Sequence, residues 1–301
     1  MSEQILKNSL GNTELNVSKL GFGCALYRKG KRHWTLKRAG QVWNAALDAG
    51  INFFDTAYDY VDSEERIRST IESRYEEFYI ATKVGCTDTK SYLNESEHVW
   101  TRENLYRGIE GSLKRLNRSN VDIIQLHNAT VEECQSGDLV LALEDIRREG
   151  MTKYIGASTE LPDVATLLGW GVFDVMQIPY SALHREHENW ITRAGEAGVG
   201  IIVRGGVAQG EYSVGRGKHN TWKKFHEAKL DELLDIDESP SSFVLRFTLS
   251  HPYVHTVIVG TTKLDHLREN LRTVRQGVLP EDLYLEAKRR LDSIGESPTL
   301  L

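Results

Sequence analysis

The chain has 301 residues, of which 40% are hydrophobic and 27% are charged, and its net charge is −6. This length is enough for one large domain or two small ones, and the composition is typical of a folded globular protein. No block of Lys and Arg residues stands out, so the sequence offers no footprint for nucleic acid or for an anionic membrane surface. We therefore expect a small-molecule partner.

No segment predicts export or insertion into a membrane. Residues 1–7 lack the apolar core of a targeting signal, and no apolar run reaches the roughly 18 residues of a membrane span. The resulting prediction is a cytoplasmic protein. Three cysteines without CxxC spacing argue against a disulfide framework or a zinc knot. We expect Cys24, Cys86 and Cys134 to be buried, although the first two follow candidate strands, where one could be a reactive thiol.

Short apolar strands alternate with amphipathic helices along most of the chain. Before them, two strand-like pieces within residues 5–17 predict a hairpin that caps the fold. The predicted strands are 19–23, 52–55, 79–84, 121–127, 153–157, 174–178, 200–204 and 256–260. The predicted helices are 35–49, 63–73, 105–116, 138–149, a short one before 174, 187–197, 239–250, 263–275 and 280–294.

This alternation predicts the fold class. Short strands buried on both faces between helices are typical of a parallel sheet, and eight such units close into a (β/α)8 barrel. An open doubly wound sheet is the alternative, but the GxGxxG turn that its dinucleotide-binding members use is absent. No linker or low-complexity segment interrupts the pattern. We predict one barrel domain over residues 1–301 with an N-terminal β-hairpin cap.

Three of the predicted strands end on ionisable residues, namely Asp55, Lys83 and His127. Because the carboxyl ends of parallel strands meet at one mouth of a barrel, these side chains should converge there, with Tyr60 above them. We expect Asp55 to keep Lys83 charged, and Lys83 to lower the pKa of Tyr60 so that the phenol serves as a general acid. His127 can then hydrogen-bond a substrate oxygen.

Two other interpretations of these residues stay open. An Asp–Lys ion pair that closes a barrel beside a core histidine requires no catalysis. Metal binding has less support, because Asp55 and His127 on separate strands give only two plausible ligands. We therefore predict no metal site.

Two glycine-containing loops indicate a phosphate site on the same face. They are Arg204-Gly205-Gly206-Val207-Ala208-Gln209-Gly210 after the seventh barrel strand and Gly260-Thr261-Thr262-Lys263 after the eighth. Many barrels of this class bind phosphate there, because glycines admit a close approach and a helix N-terminus favours an anion. A phosphate-bearing cofactor beside Tyr60 and Lys83 predicts hydride transfer to a carbonyl, with the phenol protonating the developing alkoxide.

The order and spacing of these residues resemble the aldo-keto reductase superfamily over essentially the whole chain. The matching elements are Asp-Thr-Ala-x-x-Tyr at 55–60, Ala-Thr-Lys ending at Lys83, and Gln-Leu-His ending at His127. The resemblance implies that Tyr60 is the general acid/base, that Lys83 and Asp55 tune it, and that His127 orients the carbonyl. A histidine rather than an acid at position 127 favours carbonyl reduction over double-bond reduction.

The resemblance also implies a nicotinamide dinucleotide site. Ser158, joined by Gln177, resembles the segment that binds the carboxamide, and residues 260–270 resemble the segment that binds the adenosine phosphate. The implied cofactor-binding residues are Cys24, Ser158, Thr159, Gln177, Arg204, Gly205, Gly206, Gly210, Gly260, Thr262, Lys263, His266, Glu269 and Asn270.

Several positions depart from the family pattern. Val61 replaces the usual glycine after the tyrosine, and Thr159 replaces the usual asparagine after the cofactor serine. Arg204 stands where an aromatic ring often stacks on the nicotinamide, and its guanidinium plane could stack instead. Gly205-Gly206 replaces a commoner Ser-Pro. No arginine stands at the 2′-phosphate position, so Thr262, Lys263 and His266 would hold NADP less firmly than a bidentate arginine.

The first hypothesis is therefore an oxidoreductase that interconverts an aldehyde, ketone or sugar carbonyl and an alcohol, with NADP preferred and NAD as the alternative. A nicotinamide-binding regulatory module with little turnover is the second, and a metal-assisted hydrolase ranks last. Substrate choice is expected to depend on loops 24–34, 85–100 and 206–238. Trp34, Trp100 and Trp222 in these loops either pack on the barrel rim or line the substrate. The sequence predicts no particular oligomeric state.

Overall fold

The structure is a computed structural model that describes residues 5–25, 35–87, 97–210 and 218–301. It begins with an antiparallel hairpin of β1 (Lys7–Ser9) and β2 (Asn16–Ser18). Eight parallel strands then form a closed barrel in the order β10-β3-β4-β5-β6-β7-β8-β9, which confirms the predicted (β/α)8 barrel and its hairpin. The barrel strands are β3 (Leu20–Gly23), β4 (Phe53–Asp55), β5 (Tyr79–Val84), β6 (Val121–His127), β7 (Thr152–Ser158), β8 (Val175–Pro179), β9 (Gly200–Arg204) and β10 (Thr256–Val259).

Helices connect the strands and cover the outside of the barrel. Their apolar faces pack on the barrel in one large hydrophobic cluster, which explains their 3.6-residue periodicity. The helices are α1 (Leu36–Asp48), α2 (Ser63–Ile71), α3 (Arg102–Leu116), α4 (Val131–Ser136), α5 (Leu139–Arg148), α6 (Asp163–Gly169), α7 (Glu188–Glu196), α8 (His219–Glu227), α9 (Pro240–Ser250), α10 (Leu264–Gln276) and α11 (Glu281–Ser293). Among the described residues, no helix is long and apolar enough to cross a membrane.

The predicted boundaries differ from the structure in two ways. The helix predicted over 63–73 ends at Ile71 and continues as a 3-10 helix over Glu72–Glu77. Helices α4 and α8 were not predicted. Helix α4 could have been predicted from the sequence, because Thr130 and Glu133 form a reciprocal capping box at its start.

The hairpin closes the end of the barrel opposite the mouth. Its side chains Leu10, Leu15 and Val17 are buried against the inward-facing residues of the lowest barrel layer, which are Phe53, Ala81, Ile123, Val175 and Ile202. The backbone N–H of Asn12 donates to the Gly198 carbonyl at 2.8 Å. Gly11 has a φ of +57°, and a Cβ there would lie 2.4 Å from the backbone nitrogen of Gly200, so the turn requires glycine. Among the described residues, the hairpin therefore covers the amino end of the barrel.

Candidate active site

Polar side chains occupy the layer of the barrel directly above this apolar floor. Asp55, Lys83 and Gln125 each lie two residues after an inward-facing apolar residue of β4, β5 or β6, so strand alternation turns them inward. All three are buried, with at most 2% of each residue exposed. Charged groups at this depth require partners, since an unpaired buried charge is costly.

Lys83 and Asp55 form a buried ion pair. The Lys83 ammonium lies 2.6 Å from Oδ1 of Asp55 and also donates to the carbonyl oxygen of Thr56 at 2.8 Å. Burial acts to lower the pKa of Lys83, but the negative charge of Asp55 and the nearby Tyr60 raise it on balance. Lys83 is therefore a permanent cation at the centre of the site. Removal of one partner would leave an uncompensated charge, which typically costs about 3–5 kcal/mol.

Tyr60 lies directly over this ion pair. The turn after β4 carries it, and the Lys83 ammonium is 5.0 Å from the centre of its ring. Burial raises the pKa of Tyr60, and although Lys83 acts to lower it, burial is the larger effect. The expected net lowering of this pKa is thus wrong. Lys83 does act to lower the pKa of Tyr60, as expected. Because burial outweighs this effect, the phenol stays protonated at neutral pH.

His127 ends β6 beside Tyr60, and the two rings meet edge to face at 5.7 Å. Its Nδ1 lies 3.3 Å from the Asp59 carboxylate and 3.3 Å from the Cys86 sulfur. The thiol of Cys86 also hydrogen-bonds Asp59. These contacts fix the imidazole ring at the mouth, with 12% of its side chain exposed. All four residues predicted as catalytic are thus brought together.

Two glutamines complete the polar layer. Gln177 on β8 donates to Oδ2 of Asp55 at 2.7 Å, and Gln125 on β6 donates to the same oxygen at 3.3 Å. Asp55 therefore accepts from three side chains, which disperses its charge. Sequence analysis assigned Gln177 to the cofactor alone and gave Gln125 no role. The signal for Gln125 is its position two residues before His127 on the same strand face.

Ser158, Gln177 and Asn128 present hydrogen-bond acceptors around one point at the ends of β6, β7 and β8. The Ser158 hydroxyl lies 3.4 Å from both Oε1 of Gln177 and Oδ1 of Asn128, so its single proton serves at most one of them. Nε2 of Gln177 is already used by Asp55. This cluster fits the amino group of a primary carboxamide, which supplies two donors. Asn128 was not predicted, and Thr159 turns its hydroxyl toward the carbonyl of Glu160 instead.

Arg204 lies at the end of β9 and pairs with Glu160, with Nη2 3.0 Å from Oε2. Its Nε is buried and has no hydrogen-bond partner among the described residues, so its N–H is free to donate to a polar ligand atom. The following glycines differ in what they do. A Cβ on Gly205 would meet nothing within 4 Å, whereas one on Gly206 would lie 2.4 Å from Val257. Gly206 thus serves barrel packing, while Gly205 and Gly210 have positive φ values of +72° and +84°.

Residues 260–270 form the turn from β10 into α10 and the first half of that helix. Lys263 is the exposed N-cap, and its side chain makes no capping hydrogen bond, so amides of the first turn remain available to an anion. Gly260 is exposed, and Thr262, His266, Glu269 and Asn270 are half-buried. Thr261 orders the turn by accepting from the Lys263 N–H at 3.1 Å. Glu269 instead accepts from Ser239 at the start of α9.

The three cysteines and Trp222 can be compared with the other sequence-based expectations. Cys24, Cys86 and Cys134 are buried, as expected. Cys24 packs in the core with its thiol toward the carbonyl of Phe22, so a cofactor contact through it stays a prediction. Trp222 is buried and donates to the Ala208 carbonyl at 3.2 Å, which places it in the rim rather than in the mouth. Trp34 and parts of loops 24–34, 85–100 and 206–238 lie outside the described residues.

Comparison with known proteins points in one direction. A model of the family described as "Aldo/keto reductase family" matches residues 19–288. The chain is 26% identical to the uncharacterised oxidoreductase YqkF of Bacillus subtilis, over 92% of this chain and 93% of that protein. It is also 26% identical to versiconal hemiacetal acetate reductase of Aspergillus parasiticus, over 92% and 95% of the two chains. The holo form of aldo-keto reductase AKR11C1 from Bacillus halodurans superposes with a TM-score of 0.84 at 26% identity, covering 95% and 96%.

Proposed function

Because the chain belongs to the aldo/keto reductase family, we propose that it is an oxidoreductase that uses NADP to interconvert a carbonyl compound and an alcohol, with Tyr60 as general acid/base. The observation that carries this proposal is the sharing of the Lys83 ammonium. It has three donors, of which one goes to Asp55 and one to the Thr56 carbonyl, so the third is left for the Tyr60 hydroxyl. A purely structural ion pair has no need of a phenol at that position.

The residues of the mouth divide the work of carbonyl reduction. A bound reduced nicotinamide supplies a hydride to the carbonyl carbon. Tyr60 donates its proton to the carbonyl oxygen as negative charge develops there, and Lys83 stabilises the phenolate that results. Because Nδ1 of His127 faces Asp59 and Cys86, its Nε2 is the nitrogen left to orient the same oxygen. Asp55, held by Gln125 and Gln177, keeps Lys83 in place.

The cofactor is held at two ends of the mouth. The acceptor cluster of Ser158, Gln177 and Asn128 would hold the carboxamide. Arg204 at the end of β9 would stack on the nicotinamide through its guanidinium plane. The other end is the turn before α10, where helix amides and the Lys263 ammonium favour a phosphate. The exposed Lys263 is our reason to prefer NADP over NAD. Within this proposal the whole chain acts as one domain in the cytoplasm.

The test is oxidation of NADPH, followed by its absorbance, with a panel of aldehydes, ketones and reducing sugars. We expect turnover with some members, and Tyr60→Phe should lower kcat/KM by at least about 100-fold, the usual share of general acid catalysis. Tyr58→Phe is the matched control, because Tyr58 lies in the same turn and packs its ring under Arg115 at 4.2 Å. Tight NADPH binding without turnover on any carbonyl would favour a regulatory cofactor-binding module instead.

A further inference from the structure

A cluster of metal-ligating side chains lies next to the catalytic residues. The ligand atoms of Cys86, His98 and His127 are all within 4.8 Å of one another. The carboxylate of Asp59 lies 3.3 Å from Nδ1 of His127. Carbonyl reduction as proposed above uses only His127 of this set. The cluster was missed from the sequence because Cys86 and His98 are on opposite sides of a loop, with no recognisable ligand spacing.

The backbone brings Cys86 and His98 together. They face each other in an isolated antiparallel bridge, flanked by hydrogen bonds from Thr87 N–H to the Glu97 carbonyl and from Val99 N–H to the Gly85 carbonyl, both 2.9 Å. This pattern makes Cys86 and His98 a non-hydrogen-bonded pair, the kind in which opposite side chains are closest. The two side chains therefore leave the same face of the bridge.

The imidazole rings are held in fixed orientations. His98 stacks on Trp100 with ring centres 5.2 Å apart and planes 8° apart, and it meets His127 edge to face at 5.7 Å. Gly85 allows this stack, since a Cβ there would lie 2.1 Å from the Trp100 ring. A site whose ligands are already oriented loses little conformational entropy when an ion binds.

Two of the separations between ligand atoms are close to those of tetrahedral zinc. A thiolate and an imidazole nitrogen on one tetrahedral Zn²⁺ lie roughly 3.5 Å apart, and a nitrogen and a carboxylate oxygen roughly 3.4 Å apart. The observed separations are 3.3 Å between the Cys86 sulfur and Nδ1 of His127, and 3.3 Å between Oδ1 of Asp59 and the same nitrogen. Cys86 is fully buried, and the Asp59 and His127 side chains are 13% and 12% exposed. His98 is half-buried, so the four donors are only partly shielded from solvent.

We propose that Cys86, His98, His127 and Asp59 form a Zn²⁺ site at the mouth of the barrel. One thiolate, two imidazoles and one carboxylate are a donor set that suits Zn²⁺ and disfavours Mg²⁺ and Ca²⁺, which prefer oxygen ligands. Binding displaces the thiol proton to solvent, so the ion binds to a thiolate. A bound ion would link the Cys86–His98 bridge to the end of β6.

Zinc on Nδ1 also sets the tautomer of His127. A neutral imidazole that is coordinated through one nitrogen carries its proton on the other, so the metal would hold His127 with a proton on Nε2. That proton is the one a carbonyl oxygen needs from this residue. The site therefore links metal binding to the position and hydrogen-bonding state of a catalytic side chain.

The experiment is a zinc titration of the untagged, full-length protein against a colorimetric chelator, in a reductant that does not bind metals. We expect one Zn²⁺ per chain, and Cys86→Ser and His98→Gln should each weaken binding by at least about tenfold, as loss of metal-site residues does. Cys134→Ser controls for a buried thiol. His184→Gln controls for the exposed trio His184, Glu186 and His187, whose ligand atoms are also close together. Both controls should bind zinc as the parent chain does.

Cobalt supplies a signature that a hydrogen-bonded network would not give. With Co²⁺ in place of Zn²⁺ we expect visible bands of a tetrahedral ion and a near-ultraviolet thiolate-to-cobalt charge-transfer band, and Cys86→Ser should abolish the latter. The proposal is overturned if no stoichiometric ion binds, or if Cys86→Ser and His98→Gln bind zinc unchanged. Circular dichroism of each variant reports its folding, and NADPH binding measured by fluorescence separates this proposal from the proposed function.

Discussion

Gln177 donates a hydrogen bond to Asp55 at 2.7 Å, although their strands β8 and β4 are on opposite sides of the barrel. The same side chain reaches Ser158 through Oε1. One glutamine thus connects the ion pair beneath Tyr60 with the acceptor cluster that we propose for the cofactor. It couples the two halves of the proposed site.

We expect Gln177→Leu to impair both the Asp55–Lys83 ion pair and the binding of the cofactor. Loss of the donor removes a charged hydrogen bond from Asp55, and loss of Oε1 removes one acceptor from the cofactor, so kcat should fall and KM for NADPH should rise. Each hydrogen bond corresponds to about 1–3 kcal/mol, or roughly 5- to 150-fold in kcat/KM. Steady-state kinetics measure both parameters, with the exposed Gln135→Leu as the control. An unchanged KM for NADPH would contradict the assignment of Gln177 to the cofactor.

The rate of carbonyl reduction should depend little on pH in the neutral range. Because burial raises the pKa of Tyr60 above its usual value of 10, the phenol is protonated and able to donate at all lower pH values. Reduction should therefore decline only above about pH 10, whereas alcohol oxidation, which needs the phenolate, should accelerate as pH rises toward that range. Profiles of kcat/KM in both directions test this expectation. A loss of reduction centred near pH 7 would exclude Tyr60 as the proton donor.

Val61 is strained where it stands. Its φ is +52°, a left-handed conformation that costs a β-branched residue about 1–2 kcal/mol and that glycine adopts freely. Val61→Gly relieves this strain but adds freedom to the unfolded chain, so we expect a net stabilisation of about 1 kcal/mol or less. Urea denaturation measures the change. Val61→Ala keeps a Cβ at the same φ and should not gain as much, so equal gains would point to a cause other than backbone strain.

Two buried histidines and one half-buried histidine should make the protein sensitive to acid. His187, His251 and His255 each accept a hydrogen bond from a backbone N–H, those of Leu161, Tyr253 and Ile201. Burial lowers the pKa of each from 6.5 to about 4. Between these values the unfolded chain binds more protons than the folded one, so the free energy of unfolding falls as pH drops from 6.5 to 4.

Each of these histidines should contribute a loss on the order of 2–3 kcal/mol by pH 4. Urea denaturation at pH 7, 6 and 5 measures the slope. His255→Asn offers a sharper comparison, because Oδ1 of asparagine can still accept from the Ile201 N–H but does not titrate. That variant should lose less stability between pH 7 and pH 5 than the parent chain does. An equal loss would assign the acid sensitivity to other groups.

Lys263→Met tests the phosphate end of the cofactor site. If the ammonium contacts the 2′-phosphate, its removal should raise KM for NADPH by roughly tenfold and leave KM for NADH nearly unchanged, since a hydrogen bond to a charged group corresponds to about 1.5–3 kcal/mol. Lys114→Met, an exposed lysine of α3, is the control for net charge. Equal effects on both cofactors would move the 2′-phosphate away from Lys263.

The barrel and four of its site residues follow from the sequence because both depend on local periodicity. Strand alternation fixes which side of β4, β5 and β6 faces inward, and the ends of parallel strands meet at one mouth, so Asp55, Lys83 and His127 could be placed without knowledge of any contact. The partners of Gln125 and Asn128 depend on which strands become neighbours and in what register, and their sequence context carries no such information.

Two other features required three-dimensional information. The pKa of Tyr60 depends on the balance between burial and the charge of Lys83, and the extent of burial is set by the packing of the whole mouth. The pairing of Cys86 with His98 depends on a bridge across a loop, formed by residues whose identities do not specify a turn type. Both features arise from tertiary contacts rather than from periodicity.

The hairpin that closes the floor of the barrel has a consequence for synthesis of the chain. Leu10, Leu15 and Val17 pack against residues as far along as Ile202, and Asn12 is bonded to Gly198. About two thirds of the protein must therefore leave the ribosome before these N-terminal apolar side chains can pack against their partners in the barrel. Until then they are exposed on the nascent chain, where such segments promote aggregation and require chaperones.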